Sequence, residues 1–216
     1  MSVKPLSDAI VPFALTPLQW DALRQAYAQP VRAYHHWGHV ESVLAHYAEV
    51  AAGPGWRQPC EVALAILFHD AIYEPGHRDN EARSAQLARE WIQAWWPEGQ
   101  LPGPLPSGAK VDVARVEQLI LLTARHGQLG PQDVDAEAAL MLDCDMAILG
   151  AAQAEFEAYD RAIAEEYRDH VPGFLFRINR RRFLRGVLDQ PRIFLSDWFH
   201  QRYDAQARAN LRRAIA

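Results

Sequence analysis

The chain has 216 residues, enough for one domain with a sizeable core, and a single domain is our working case. Its 22 basic and 27 acidic residues give a net charge of −5, which argues against nucleic acid as the main partner. Two distant cysteines, Cys60 and Cys144, indicate neither a disulfide framework nor a cysteine zinc site. No signal peptide and no window of about 20 apolar residues is present. We therefore expect a soluble, cytoplasmic protein without a membrane partner.

Apolar residues recur at helical spacing along almost the whole chain, and no convincing run alternates as a strand would. Thr16, Pro17 and Gln19 form an N-cap, a first-turn proline and a capping-box glutamine, which predict a helix from here to about Gln29. Further helices are predicted at about 38–52, 59–73, 79–96, 111–126, 135–149, 151–169, 173–189 and 197–214. The Pro- and Gly-rich segment 97–110 is predicted to be a loop. The pattern predicts an all-α fold of about eight to ten helices.

Four histidines fall within one twelve-residue window: His35, His36, His39 and His46. His69 follows His39 after one predicted helix and one short loop, so an antiparallel helix pair brings the two histidines together. His69 and Asp70 end an apolar run, and burying such a pair costs several kcal/mol unless it has a partner or a metal ion. We therefore predict that His39, His69 and Asp70 share one site.

A fourth ligand for such a site is available near the middle of another predicted helix, where Asp143 and Asp145 stand among apolar residues. Two imidazoles and two carboxylates suit one divalent ion such as Mn²⁺, Fe²⁺, Co²⁺, Mg²⁺ or Ni²⁺, with Zn²⁺ as an alternative. Such a set leaves two coordination positions for water. The residue pattern predicts the metal site without choosing its metal.

His39, the His69-Asp70 dipeptide and a later aspartate in an apolar helix resemble the H…HD…D signature of the HD superfamily of metal-dependent phosphohydrolases. The stretches YHHWGH, FHDAIY, NEARSA, DCDMAILG and ARANL are similar to an uncharacterised branch of predicted HD hydrolases. The resemblance implies a single helical domain over 1–216, with an HD core at about 31–150 and C-terminal helices at about 151–216 packing on it.

The same resemblance implies the ligand set His39, His69, Asp70 and Asp145. Asp145 is preferred because the family's last ligand typically precedes an apolar turn of the kind that follows here. Asp143 faces another side of the predicted helix and is left to cap, to pair with an arginine or to support the site. A second ion, with His126 as an added ligand, is an alternative, since extra histidines bind one in phosphodiesterase branches of the superfamily.

The implied reaction is hydrolysis of a phosphoester of a small molecule, and we expect a nucleotide as substrate, cleaved by metal-activated water with Asp70 and Glu74 as the catalytic pair. Glu74 follows Asp70 by four residues, which places both on one face of the predicted helix. An acidic residue occupies this place in nucleotide-cleaving relatives, so Glu74 is the candidate that orients the water or exchanges its proton. The alternative for Glu74 is a solvated carboxylate at a helix end.

Candidate substrate contacts lie around this set: Arg32, His35, His36, Asn80, Glu81 and His126. All but Arg32 also have a plain structural explanation. His35 and His36 suit hydrogen-bonded loop histidines, Asn80 and Glu81 are ordinary helix-start residues, and His126 is favoured by the dipole at a helix C-terminus.

Two other functions stay open. One is a non-catalytic nucleotide sensor that retains the metal site, and the other is an all-α structural protein whose histidines are incidental. We expect a monomer or a homodimer.

Overall fold

The computed structural model describes residues 10–103 and 110–216. Within these ranges the regular structure is helical, and the β-type pairing is a single bridge between Gln100 and Lys110, so the all-α prediction is confirmed. Nine α-helices lie wholly within the described ranges: α1 Pro17–Ala26, α2 Trp37–Ala52, α3 Pro59–Phe68, α4 Asn80–Trp95, α5 Val113–Thr123, α6 Ala136–Met146, α7 Gln153–Glu166, α8 Gly173–Leu188 and α9 Asp197–Ile215. None of them combines the length and apolar character needed to cross a bilayer.

The predicted helix starts agree with the structure. The backbone N–H of Gln19 donates to Thr16 Oγ1 at 3.3 Å, and the N–H of Thr16 donates to Gln19 Oε1 at 2.8 Å, which completes the predicted capping box. Several helix ends were placed too late in the sequence. The largest error concerns α3, which ends at Phe68 instead of about Tyr73.

The chain divides into two compact units, Met1–Ala124 and Arg125–Ala216. The predicted arrangement, a core at 31–150 with later helices packed on it, stays a prediction. Part of the predicted loop, 104–109, lies outside the described residues.

Helix α3 is the centre of the first unit. Every position from 60 to 68 is buried, and the helix packs against α2, α4 and α5. A helix that is apolar on nearly all sides can only be stable when neighbours surround it. Its one acidic residue, Glu61, accepts a hydrogen bond from the backbone N–H of Asp112 at 3.0 Å. The end of α3 therefore delivers His69 and Asp70 into a crowded interior.

The second unit is built on α6, buried from 137 to 144, and on α9, which packs against α6, α8 and the short 3₁₀ turn Ala147–Gly150. Gly150 lies directly against Tyr203 of α9. A Cβ atom at position 150 would stand 2.7 Å from the Cβ of Tyr203 and 2.9 Å from its carbonyl oxygen. The absence of a side chain at Gly150 is thus what lets this turn approach α9.

Gly150→Ala is expected to lower the free energy of unfolding by about 1–3 kcal/mol, because the turn and α9 must move apart. Urea denaturation followed by circular dichroism measures the change. Gly186→Ala is the matched control: a Cβ there meets no atom within 4 Å, and the position is an exposed helix interior. The control should raise stability by up to about 1 kcal/mol, and equal effects of the two substitutions would contradict the close approach at Gly150.

Candidate metal centre

Three potential ligands meet in the interior of the first unit, as the spacing predicted. His39, in the first turn of α2, places Nε2 3.1 Å from Nε2 of His69, which caps the C-terminus of α3. Oδ2 of Asp70 lies 3.2 Å from Nε2 of His69 and 3.6 Å from Nε2 of His39. All three residues are buried and could hold a metal ion. We call His39, His69 and Asp70 the ligand triad.

A backbone contact sets the tautomer of His69. Nδ1 of its ring lies 2.8 Å from the carbonyl oxygen of Ile66, which accepts only a hydrogen bond, so Nδ1 carries the proton. The lone pair of His69 is then on Nε2 and points at the other two ligand atoms. This carbonyl–imidazole arrangement is the usual support of a metal-binding histidine.

The three atom pairs have the separations expected of ligands on one ion. Ligands about 2.1 Å from an ion and at right angles are about 3.0 Å apart, and tetrahedral ligands are about 3.4 Å apart. The triad separations of 3.1, 3.2 and 3.6 Å fall around these two values. The three donor atoms and their spacing therefore fit one divalent ion that the protein contacts from one side. Without an ion, the same spacing allows the three groups to share a proton.

The charge on Asp70 is secured by its surroundings. Burial by itself raises the pKa of Asp70, but the imidazoles of His69, His35 and His39 outweigh burial and hold this pKa well below its usual range. Asp70 is thus a carboxylate at neutral pH, which is the form that binds a cation.

Two side chains from the first part of the chain hold the turn that carries His69 and Asp70. The Tyr27 hydroxyl donates to the carbonyl of Leu67 at 3.2 Å and accepts from the N–H of Asp70 at 3.3 Å. Arg32 is buried, and its guanidinium donates to the carbonyls of Asp70 at 2.6 Å and Ala71 at 3.1 Å. Burial raises the pKa of Tyr27 far above its ordinary value, so its hydroxyl stays neutral and able to donate.

The following residues are held from α4. The hydroxyl of Ser84 accepts from the N–H of Ile72 at 3.0 Å and donates to its carbonyl at 3.1 Å. The amide of Asn80 accepts from the N–H of Glu74 at 3.0 Å and donates to the carbonyl of Glu74 at 3.0 Å. After α3 ends, side chains therefore bind the backbone N–H groups of Asp70, Ile72 and Glu74, which a longer helix would have paired with its own carbonyls. We call Tyr27, Arg32, Asn80 and Ser84 the turn clamp.

These contacts change the interpretation of two predicted substrate-binding residues. The guanidinium of Arg32 also donates to the carbonyls of Ala26 at 3.0 Å and His35 at 3.0 Å. Its N–H groups therefore bind backbone carbonyls and are not directed at a phosphate. The Asn80 amide is likewise used at both ends. We accordingly leave Arg32 and Asn80 out of the proposed substrate contacts.

The geometric reason given for Glu74 was wrong. Because α3 ends at Phe68, Asp70 and Glu74 do not share a helix face. The Glu74 carboxylate pairs with Arg83 at 2.8 Å and lies 3.5 Å from Nε2 of His77, with its side chain 40% exposed. A role for Glu74 in proton transfer stays a prediction without that support.

The two adjacent loop histidines have different positions. His36 is exposed and is the N-cap of α2, since its Nδ1 accepts from the N–H of Gly38 at 3.0 Å. His35 is half-buried, stacks on the ring of Tyr73 at 3.9 Å between centroids, and lies 5.8 Å from the ring of His39. His35 is therefore the histidine of this pair that remains next to the ligand triad.

The remaining predicted residues are Glu81, His126 and Asp145. Glu81 stands in the first turn of α4, where the helix dipole favours an acidic residue. His126 lies beyond the end of α5 at Thr123, so it does not close that helix as predicted. In the second unit, Nε2 of His126 lies 2.6 Å from Oδ2 of Asp145. Asp145 as the fourth ligand, and His126 as a ligand of a second ion, stay predictions.

Asp143 is the buried aspartate of α6, and it holds the start of α9. Its Oδ1 accepts from the N–H of Leu195 at 2.7 Å, and its Oδ2 accepts from the N–H of Ser196 at 2.7 Å and from the hydroxyl of Ser196. Both aspartates lie near the C-terminal end of α6, not near its middle as predicted. Asp143 thus binds the backbone that precedes α9 and the hydroxyl of the N-cap residue Ser196.

Asp143 should make stability depend on pH. Burial raises its pKa to about 6, against the opposing effect of its hydrogen bonds, so the group favours folding most below pH 4 and loses this contribution as pH rises through 6. The difference in unfolding free energy between the wild type and Asp143→Asn should change across pH 4–6 by at most about 1.4 kcal/mol per pH unit. Urea titrations at several pH values measure it, and parallel pH profiles of the two proteins would contradict the shift.

Tyr27 and Ser84 were missed at the sequence level. The role of Ser84 could have been predicted from the sequence, because Asn80 and Ser84 are four residues apart and lie on the same buried face of α4 as Ala88. Two polar residues on a buried helix face indicate nearby backbone that needs partners. Tyr27 carries no such signal, since a tyrosine at a helix end is ordinary.

No protein-family model, no curated protein and no solved structure matches this chain. The interpretation of the site therefore depends on its residues and geometry.

Proposed function

We propose that this protein is a metal-dependent phosphohydrolase of the HD type that cleaves a phosphoester of a small molecule, with a nucleotide as the favoured substrate. The observation that carries the proposal is the ligand triad: three buried donor atoms 3.1–3.6 Å apart, with the tautomer of His69 set by a backbone carbonyl. The order of His39, His69 and Asp70 in the resembled HD signature supports the same function.

The chain's own residues have distinct roles in this proposal. His39, His69 and Asp70 would hold one divalent ion, which supplies Lewis acidity and lowers the pKa of water when bound. Asp70 contributes negative charge, because its pKa is held low. Glu74, outside the helix and partly exposed, is the candidate that accepts a proton, and His35 is the candidate phosphate contact.

Aromatic rings beside the triad support a nucleotide. The ring of Tyr34 lies 4.9 Å from that of His39, and Tyr73 stacks on His35 at 3.9 Å. Flat rings next to a charged site suit a ligand with both a base and a phosphate, because the base can stack while the phosphate meets the cation.

The proposal is tested by metal titration followed by a panel of phosphoesters. Protein stripped with chelator should bind about one equivalent of Mn²⁺ by isothermal titration calorimetry, and the loaded protein should release phosphate or nucleoside from at least one nucleotide. Binding should weaken below about pH 6, because protons compete for the imidazoles. Failure to bind any of Mn²⁺, Fe²⁺, Co²⁺, Ni²⁺, Mg²⁺ or Zn²⁺ would overturn the proposal.

The second candidate is a nucleotide sensor that keeps the metal site without turnover. One contact favours it: the carboxylate of Glu74 is already engaged in an ion pair with Arg83 at 2.8 Å.

Glu74→Gln distinguishes the two functions. An enzyme should lose turnover while its Mn²⁺ and nucleotide affinities stay within about twofold. A sensor should show unchanged nucleotide binding and no turnover in either protein. Arg83→Gln is the matched control, since it removes the partner and leaves the carboxylate in place.

A further inference from the structure

Helix α8, Gly173–Leu188, exposes an unusual number of large apolar side chains. Four of the seven large hydrophobic side chains exposed among the described residues belong to this helix: Phe174, Leu175, Ile178 and Phe183. Phe174 is 63% exposed and Ile178 is 59% exposed. A concentration of exposed apolar residues on one element is typical of an interaction surface.

The same helix is strongly basic. Its 16 residues include five arginines and no acidic residue. Arg180 faces inward and pairs with Asp160 of α7 at 2.9 Å. The other four arginines are exposed: Arg177, Arg181, Arg182 and Arg185.

Two of the exposed apolar residues and two of the exposed arginines of α8 form one outward stripe. Phe174, Ile178, Arg182 and Arg185 recur at intervals of four, four and three residues, which places them along one side of a helix. The buried residues Leu184 and Val187 lie on the other side. The outward side is therefore apolar in its first half and cationic in its second half, and we call it the α8 stripe.

The neighbouring helix α7 has the opposite character. Its exposed charged residues are three acids, Glu155, Glu157 and Glu165, and one arginine, Arg161, while Phe156 and Ile163 face the interior. Glu165 pairs with Arg168, which leaves Glu155 and Glu157 as the acids that a partner could meet. Two small residues, Ala154 and Ala158, are exposed between these acids. An acidic surface with small residues offers charge partners for arginines and room for protruding apolar side chains.

We propose that the α8 stripe docks on α7 of a second copy of this chain. A two-fold axis makes such a contact occur twice, because α8 of each copy meets α7 of the other. In each dimer the cationic halves of the two α8 stripes then meet the two acidic α7 surfaces, and the apolar halves of the two stripes are buried. The inference is independent of the proposed function, since it uses no residue of the ligand triad or the turn clamp.

Charge favours a second copy over an anionic membrane. A basic helix with exposed aromatic and aliphatic side chains also suits a lipid surface. In this unit, however, the acidic residues of α7 lie beside α8, joined to it through Arg180 and Asp160. Those acids would be repelled by anionic lipid, whereas they attract the arginines of another copy.

A charge-exchange experiment tests the docking. One variant carries Arg182→Glu and Arg185→Glu, and the other carries Glu155→Lys and Glu157→Lys. Each alone should be monomeric by sedimentation equilibrium at low salt, because like charges then face each other in both contacts. An equimolar mixture should recover dimers, because each α8 then meets an α7 of opposite charge. Control reversals at the exposed Arg78 and Arg125 should leave the dimer intact.

The apolar half of the stripe has its own test. Ile178→Asp should weaken dimerisation at least tenfold, whereas Val31→Asp, at an exposed position outside α8, should leave it unchanged. Circular dichroism checks that the variants are folded. A wild-type protein that is monomeric at up to 100 μM, or whose mixed charge variants fail to pair, overturns the proposal. Binding to phosphatidylserine vesicles by a protein that stays monomeric would overturn it in favour of a membrane partner.

Discussion

Asp70→Asn is expected to reduce affinity for a divalent ion by at least 100-fold and to remove any phosphohydrolase activity. The substitution keeps the size of the side chain but removes the negative charge and one strong ligand atom from the triad. His39→Ala should have a similar effect, because the remaining two ligands hold an ion poorly. Isothermal titration calorimetry with Mn²⁺ measures the affinity.

The matched control for the histidine change is His46→Ala. His46 is on the same helix as His39, but it pairs with Glu49 at 3.3 Å and is not part of the triad. This variant should bind the ion within about twofold of the wild type. Equal metal affinity of Asp70→Asn and the wild type would refute a metal site at the triad, whatever the activity.

Arg32→Met is expected to lower the free energy of unfolding by about 3–5 kcal/mol. The guanidinium is buried, and its loss leaves the carbonyls of Ala26, Asp70 and Ala71 without their charged donor. Metal affinity should fall as well, because the turn that carries His69 and Asp70 loses one of its two supports from the first part of the chain. Urea denaturation and calorimetry measure the two effects separately.

Two control variants separate the hydrogen bonds of Arg32 from its charge. Arg32→Lys keeps the charge but has a single ammonium, which reaches fewer carbonyls, so it should recover less than half of the lost stability. Arg24→Met removes a half-exposed arginine that lies over the rings of Trp20 and Trp37, and should cost about 1 kcal/mol or less. A loss below 1 kcal/mol for Arg32→Met would refute the clamp.

The helices were predictable where local chemistry specifies them. Thr16, Pro17 and Gln19 mark a helix start through contacts within four residues, so no tertiary information is needed. The end of α3 was not predictable in the same way. The apolar pattern continues through Ala71 and Tyr73, both buried, and the chain leaves the helix because distant side chains bind its backbone instead.

The candidate site was predictable in part. His39 and His69 meet because two consecutive helices joined by a short loop pack antiparallel, which places the start of the first helix beside the end of the second. The use of Arg32 could not be foreseen, since its partners are backbone carbonyls, which every residue has and no sequence letter identifies. The same holds for Ile66, whose carbonyl sets the tautomer of His69. The prediction for Glu74 failed for the opposite reason. A spacing of four residues from Asp70 places two side chains on one face only within a helix, and these residues lie in a turn.

Because of the turn clamp, each of three backbone amides near the candidate metal centre has a side-chain acceptor, and rotation of that one side chain breaks its hydrogen bond. The N–H groups of Asp70, Ile72 and Glu74 donate to Tyr27, Ser84 and Asn80, not to carbonyls of a helix. Their hydrogen–deuterium exchange rates therefore report on these three side chains one by one. If the amides of residues 70, 72 and 74 exchange at different rates, the three hydrogen bonds open independently of one another. The turn that carries the ligands then opens locally, and no helix has to unfold.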